Sequence, residues 1–193
     1  MSLLDLRERF SRLLTLRTGR RYSRAMERRV NSAPRAGIQF ARKKQILIFV
    51  NPEEPSLHSF LALSYFYQKK LKPASGEIEK GLQTQTAGPF PHAVLAMIQA
   101  ASGRPDSALS EVTLRVEPYT EGDASLCSAA AAVYSLLGRN GLAIQWLEKA
   151  VSLGYEDFVW LSNDPNFDRM RNDPRFIGVL ERVKEKWEKS RKG

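Results

Sequence analysis

LCSAAAAVYSLLGRNGLAIQWLEKAV, residues 126–151, holds two apolar stretches at helical spacing with a break between them. The first carries Leu126, Ala130, Val133, Tyr134 and Leu137, and the second carries Leu142, Ala143, Trp146, Leu147, Ala150 and Val151. These are the i, i+3, i+4 and i+7 positions of amphipathic helices. Between them Gly138 can take the left-handed conformation that ends a helix. The stretch therefore predicts an antiparallel helical hairpin, with small residues where the two helices touch and Tyr134 and Trp146 as bulk across the seam.

Working outward, the same pattern returns twice, in LAMIQAASGRPDSALSEVTLRV (95–116) and LALSYFYQKKLKPASGEIEKGL (61–82). Ala62, Ala96 and Ala131 are separated by 34 and 35 residues, and Ala74, Ala108 and Ala143 by 34 and 35 again. Gly103 and Gly138 fall between the alanines, and Lys69 takes that place in the first unit. An ordinary helical bundle has no need of a fixed period, whereas a hairpin too small to bury its own apolar face must stack on its neighbours.

Small–x–x–Tyr, then Gly, Ala, a large apolar residue and Ala resembles the tetratricopeptide repeat signature. Ala131, Tyr134, Gly138, Ala143, Leu147 and Ala150 carry it fully. The first unit has Ala62, Tyr65, Ala74 and Ile78 but Gly81 in place of the last Ala, and the second departs at Gln99 and Arg115. The resemblance covers roughly residues 55–155, and the ending, with Asp164–Pro165 and Asp173–Pro174, is similar to that of bacterial tetratricopeptide modules. It implies an all-α, right-handed α-solenoid of three helical hairpins with a C-terminal capping helix. Residues 34–50, ahead of Pro52, leave open a fourth, degenerate unit with Phe40 and Leu47 inward. Asp followed by Pro is a helix-start signal, and a last helix from about Pro174 to Lys189 puts Phe176, Val179, Leu180, Val183 and Trp187 on one stripe.

The charge divides the chain. Residues 1–45 hold 13 Arg and Lys against Asp5, Glu8 and Glu27, so they carry +10 of the net +9 and leave 46–193 near neutral at −1. The division expected is a basic N-terminal arm, 1–45, and a repeat domain, 46–193. Within the arm, Leu3, Leu6, Phe10, Leu13 and Leu14 form an apolar stripe ringed by arginines. That pattern suits a helix packed on the repeats, a helix on an anionic membrane, or a mitochondrial presequence. Arg20-Arg21-Tyr22-Ser23 resembles a presequence cleavage site, while the acidic residues argue against one. The compartment expected is cytoplasmic, or mitochondrial if residues 1–22 are a presequence. Ile46–Val50 is far shorter than the ~20 apolar residues a membrane-spanning helix needs.

In the tetratricopeptide family the first helix of each unit lines a concave groove. Transferred by position, the lining is Ser56, Ser59, Leu63, Phe66 and Tyr67, then Phe90, Ala93, Met97, Ala100 and Ala101, then Ser125, Ser128, Ala132, Ser135 and Leu136. None is charged or an amide, so the grip on a peptide's terminal carboxylate used by some members is not expected. An apolar groove suits a partner helix or an extended apolar peptide, with Leu63, Phe66, Tyr67, Phe90, Met97 and Leu136 as the candidate contacts. The other occupant considered is the chain's own N-terminal helix.

The function expected is a protein–protein interaction scaffold with another protein as partner. The alternative is a basic adaptor that meets an anionic membrane surface or nucleic acid through Arg20, Arg21, Arg28 and Arg29. No small-molecule substrate, cofactor or catalysis is expected, because phosphate-binding Gly-rich loops, HExxH and GxSxG are all absent. His58 and His92 stand 34 residues apart and read as packing or solvated residues, not metal ligands. Cys127 reads as a small core residue, since no His stands beside it in register.

Overall fold

The computed structural model describes residues 55–83 and 88–192; the basic arm, the candidate fourth unit and the arginines at 20, 21, 28 and 29 lie outside them. Among the described residues eight α-helices follow one another: α1 (Pro55–Tyr67), α2 (Leu71–Leu82), α3 (Pro89–Ala101), α4 (Pro105–Arg115), α5 (Ala124–Leu136), α6 (Asn140–Ser152), α7 (Phe158–Asn163) and α8 (Pro174–Lys192). Short 3₁₀ turns occupy Glu117–Tyr119 and Pro165–Met170. No strand occurs among the described residues, so the all-helical expectation holds.

The three hairpins turn in the same way. At the end of each first helix the chain enters the left-handed region, at Lys69 (φ 59°), Gly103 (φ 73°) and Gly138 (φ 73°). The next N–H then reaches back to a carbonyl five residues earlier: Lys70 to Tyr65, Arg104 to Gln99 and Arg139 to Tyr134, each at 2.9 Å. This closes the last turn of the helix by supplying its orphaned carbonyls with a donor. The carbonyls of Lys70, Arg104 and Arg139 accept from Ala74, Ala108 and Ala143 at 3.0–3.1 Å and so open the second helices.

The seam explains the alanine columns. Ala62, Ala74, Ala96, Ala108, Ala131 and Ala143 are all fully buried, as are Ile78, Val112 and Leu147, which take the same place in successive second helices. Small side chains let each antiparallel pair approach closely, and the larger residue fills what remains. α1 packs on α2, α3 on α4 and α5 on α6, while α3 also meets α1, α2 and α5. One core thus runs from Ala62 to Val183.

Asp123 caps α5 by accepting from the N–H groups of Ser125 and Leu126, each at 2.9 Å. The Asp173–Pro174 signal opens α8, whose Phe176, Val179 and Val183 are fully buried and whose Leu180 and Trp187 are partly so, as the stripe requires. The Asp164–Pro165 signal opens a 3₁₀ turn where an α-helix was expected. Leu142 departs from the apolar stripe assigned to it and is 38% exposed. It stands in the first turn of α6 at the rim of an open recess of about 330 Å³, with Glu117, Tyr134, Gln145, Trp146 and Lys149 around it.

Candidate binding face

The first helices touch in series, α1 with α3 and α3 with α5, and residues of the 158–170 segment reach α1 and α5. The Tyr67 hydroxyl at the end of α1 donates to the Asp164 carboxylate at 3.2 Å and accepts from the Asn166 side-chain amide at 3.1 Å. The Tyr67 ring meets the Trp160 ring edge-to-face at 5.2 Å. The Ser135 hydroxyl of α5 donates to the Asn166 backbone carbonyl at 2.6 Å. A segment 97–99 residues away in sequence therefore ties α1 to α5.

The segment is anchored by packing as well as polar contacts. Leu161, Phe167 and Met170 are fully buried, and Phe167 stacks at 5.7 Å on Phe176 of α8. Arg171 donates to the Asp164 backbone carbonyl at 2.8 Å. Asp164 accepts from the Asn166 N–H at 2.9 Å, which caps the 3₁₀ turn. Burial strips water from the Asp164 carboxyl and pushes it up to about 6, although the Asn166 and Tyr67 donors and the Arg171 charge pull the other way. Burial and the neighbouring carboxylate also raise the Tyr67 phenol well above its ordinary range.

Of the six candidate groove contacts, this segment meets Tyr67. Phe66 and Met97 are core residues, 7% and 5% exposed. Tyr67 is partly buried and its hydroxyl is already engaged. Leu63, Phe90 and Leu136 are partly exposed and come from three different helices. Phe60, which sequence reasoning passed over, brings its ring within 5.0 Å of Phe90 and so links α1 to α3. Of the wider lining, Ser59, Ala93, Ser128, Ala132 and Ser135 are buried and Ala101 and Ser125 exposed. The chain's own N-terminal helix, the other occupant considered, falls outside the described residues; among those described, the 158–170 segment reaches Tyr67 and Ser135.

The histidines pair within their hairpins. His58 donates to Glu77 of α2 at 2.8 Å, and His92 pairs with Glu111 of α4 across the same 19 residues. Burial pushes the Glu77 carboxyl up, but the bonds from Lys80 and His58 outweigh it and hold the carboxyl below its usual value. In the third hairpin Cys127 takes the His place; it is fully buried beside the Thr120 carbonyl at 3.6 Å, and burial raises its thiol. Glu77 and Glu111 were legible as a further column with the 34-residue spacing. Asn166 and Trp160 carried no such signal, because they act across nearly the whole repeat array. Among the described residues, no group of three or more His, Cys, Asp or Glu side chains could hold a metal ion, and no helix is long and apolar enough to cross a membrane.

Compared with protein-family models, curated proteins and solved structures, the chain matches none of them.

Proposed function

We propose that the chain is a tetratricopeptide-like right-handed solenoid of three hairpins that acts as a protein–protein interaction adaptor without catalysis. The concave side formed by α1, α3 and α5 takes a partner helix or apolar peptide on the part that the 158–170 segment leaves accessible. The observation that carries this reading is that Leu63, Phe90 and Leu136, from three successive first helices, stay partly exposed, whereas Phe66 and Met97 of the same candidate set are core. Aromatic side chains such as Phe90 are enriched at the centre of interfaces, where the few dominant anchors cost about 2 kcal/mol or more each when truncated.

A photo-crosslinking residue placed at Leu63 or Phe90 in the full chain should give the same partner bands in cells, and one at Ser107 should give none of them. Leu63→Asp with Phe90→Asp should remove those bands while circular dichroism and the melting transition stay as they are. Bands of equal strength from all three sites would overturn the reading. The concentration of +10 in residues 1–45 favours one second reading, a basic adaptor that contacts an anionic membrane or nucleic acid through Arg20, Arg21, Arg28 and Arg29. It predicts that charge reversal at those four arginines removes capture and that the Asp pair does not.

A further inference from the structure

The three hairpin turns carry a feature that neither the core nor the binding face uses. Lys70, Arg104 and Arg139 each precede a second helix, with nearly the same backbone (φ −93°, −112° and −88°; ψ 69°, 66° and 59°), and each is exposed. A cation is a poor choice there. The position favours Ser, Thr, Asp or Asn, whose side chains accept from the first helical N–H groups, and the positive end of the helix dipole lies beside it. None of the three makes a side-chain cap.

Lys69, Lys72 and Arg169 join them on the same edge, all exposed. Arg169 reaches the third turn, its guanidinium 3.6 Å from where a Cβ on Gly138 would stand. None of these six cations forms an ion pair among the described residues, whereas Lys80, Arg171, Arg175, Arg182 and Lys184 elsewhere do. Asp106 and Asp168 are the opposing acids nearby in sequence, and Asp168 is taken by Arg171.

Spacing selects the partner. α1 touches α3 and α3 touches α5, and packed helices lie about 8–10 Å apart, so successive turn cations stand about one helix spacing apart. A polyproline-type peptide advances about 3.1 Å per residue with three residues per turn, so side chains at i, i+3 and i+6 share one face and recur every ~9 Å, whereas in a β-type strand they alternate between faces. Residues 68–70, 102–104 and 138–140 include no aromatic or large aliphatic side chain, which leaves nothing to stack on nucleic-acid bases or to insert into a membrane. We infer that the edge formed by the three hairpin turns is a docking ridge for an acidic peptide in the polyproline conformation with carboxylates at every third residue, gripped by Lys70, Arg104 and Arg139. The ridge rests on the stacking of the three hairpins proposed above and meets the 158–170 segment at Arg169, but Lys70, Arg104 and Arg139 are none of the candidate groove contacts.

Fluorescence anisotropy with two labelled synthetic peptides of equal charge tests the ridge on the full chain. One peptide has Glu at positions 1, 4 and 7 of an otherwise proline sequence, and the other has Glu at 1, 3 and 5. The first should bind at least ~5-fold more tightly at low salt and weaken as salt rises. K70E/R104E/R139E should remove that preference with the melting temperature preserved. Reversing Arg20, Arg21, Arg28 and Arg29 should weaken both peptides alike and keep their ratio. Equal binding of the two peptides would overturn the inference. So would a preference that survives K70E/R104E/R139E, or vesicles of phosphatidylserine or duplex DNA that bind more tightly than the 1, 4, 7 peptide and lose binding in that variant.

Discussion

At the residue scale, three positions of identical role are filled in two ways. Gly103 and Gly138 take a left-handed backbone at φ 73°, and Lys69 takes nearly the same one at φ 59°. A residue with a Cβ is strained there by about 1–2 kcal/mol, and glycine returns part of that gain through its freer unfolded chain. Lys69→Gly should therefore raise stability by about 0.5–1 kcal/mol, read from the denaturant midpoint. Gly138→Ala should lower it by about 1–2 kcal/mol, and through backbone strain, because its Cβ would meet only ordinary contact with Arg169. If the two substitutions shift the midpoint in the same direction, the turns are not equivalent.

At the element scale, the alanine columns are the points where paired helices touch. Ala131 and Ala143 are fully buried where α5 meets α6, and a leucine at either must push neighbours aside. Ala131→Leu or Ala143→Leu should cost about 1–3 kcal/mol through overpacking. Ser162→Leu, on the partly exposed α7, should cost much less. Chemical denaturation of the three variants decides it; equal losses would put the seam elsewhere. The pairing of helices was legible because a 34-residue period in small residues admits little else. The 3₁₀ turn at Pro165–Met170 was not legible. Asp-Pro opens either kind of helix, and here Asp164 is bound by Tyr67 and its cap serves a six-residue turn that must cross the array.

At the scale of the whole molecule, the Tyr67–Asp164–Asn166 cluster links the first hairpin to the end of the chain and makes that link sensitive to pH. Asp164 is pushed up to about 6 in the folded protein, against about 3.9 for a free carboxyl. Between those values the folded state holds a proton that the unfolded chain has released. The stability contributed by this group is therefore fully present below about pH 4 and is lost as pH rises through about 6. Asp164→Asn keeps an oxygen for the Tyr67 hydroxyl and for the Asn166 N–H but has no proton to lose. Its melting temperature relative to the parent chain should therefore climb between pH 4 and 7. Parallel melting curves across that range would mean Asp164 titrates as an ordinary surface carboxyl.

Sequence alone sufficed for the six helices of the three hairpins, their pairing and the turns between them, but not for α7, because each hairpin depends on spacing within about 35 residues and on side-chain size at a local seam. It also sufficed for the stripe of α8, since an amphipathic helix declares its buried face through its own 3.6-residue period. Only the tertiary structure decided how much of the shared face is left for a partner. Phe66 and Met97 read identically as groove or core, and Tyr67 as an anchor for either occupant. What settled the surroundings of Tyr67 was a segment 97–99 residues distant whose carboxylate and amide reach its hydroxyl. Contacts over that separation leave no periodic trace, because they are made once, by residues with no counterparts in the other hairpins.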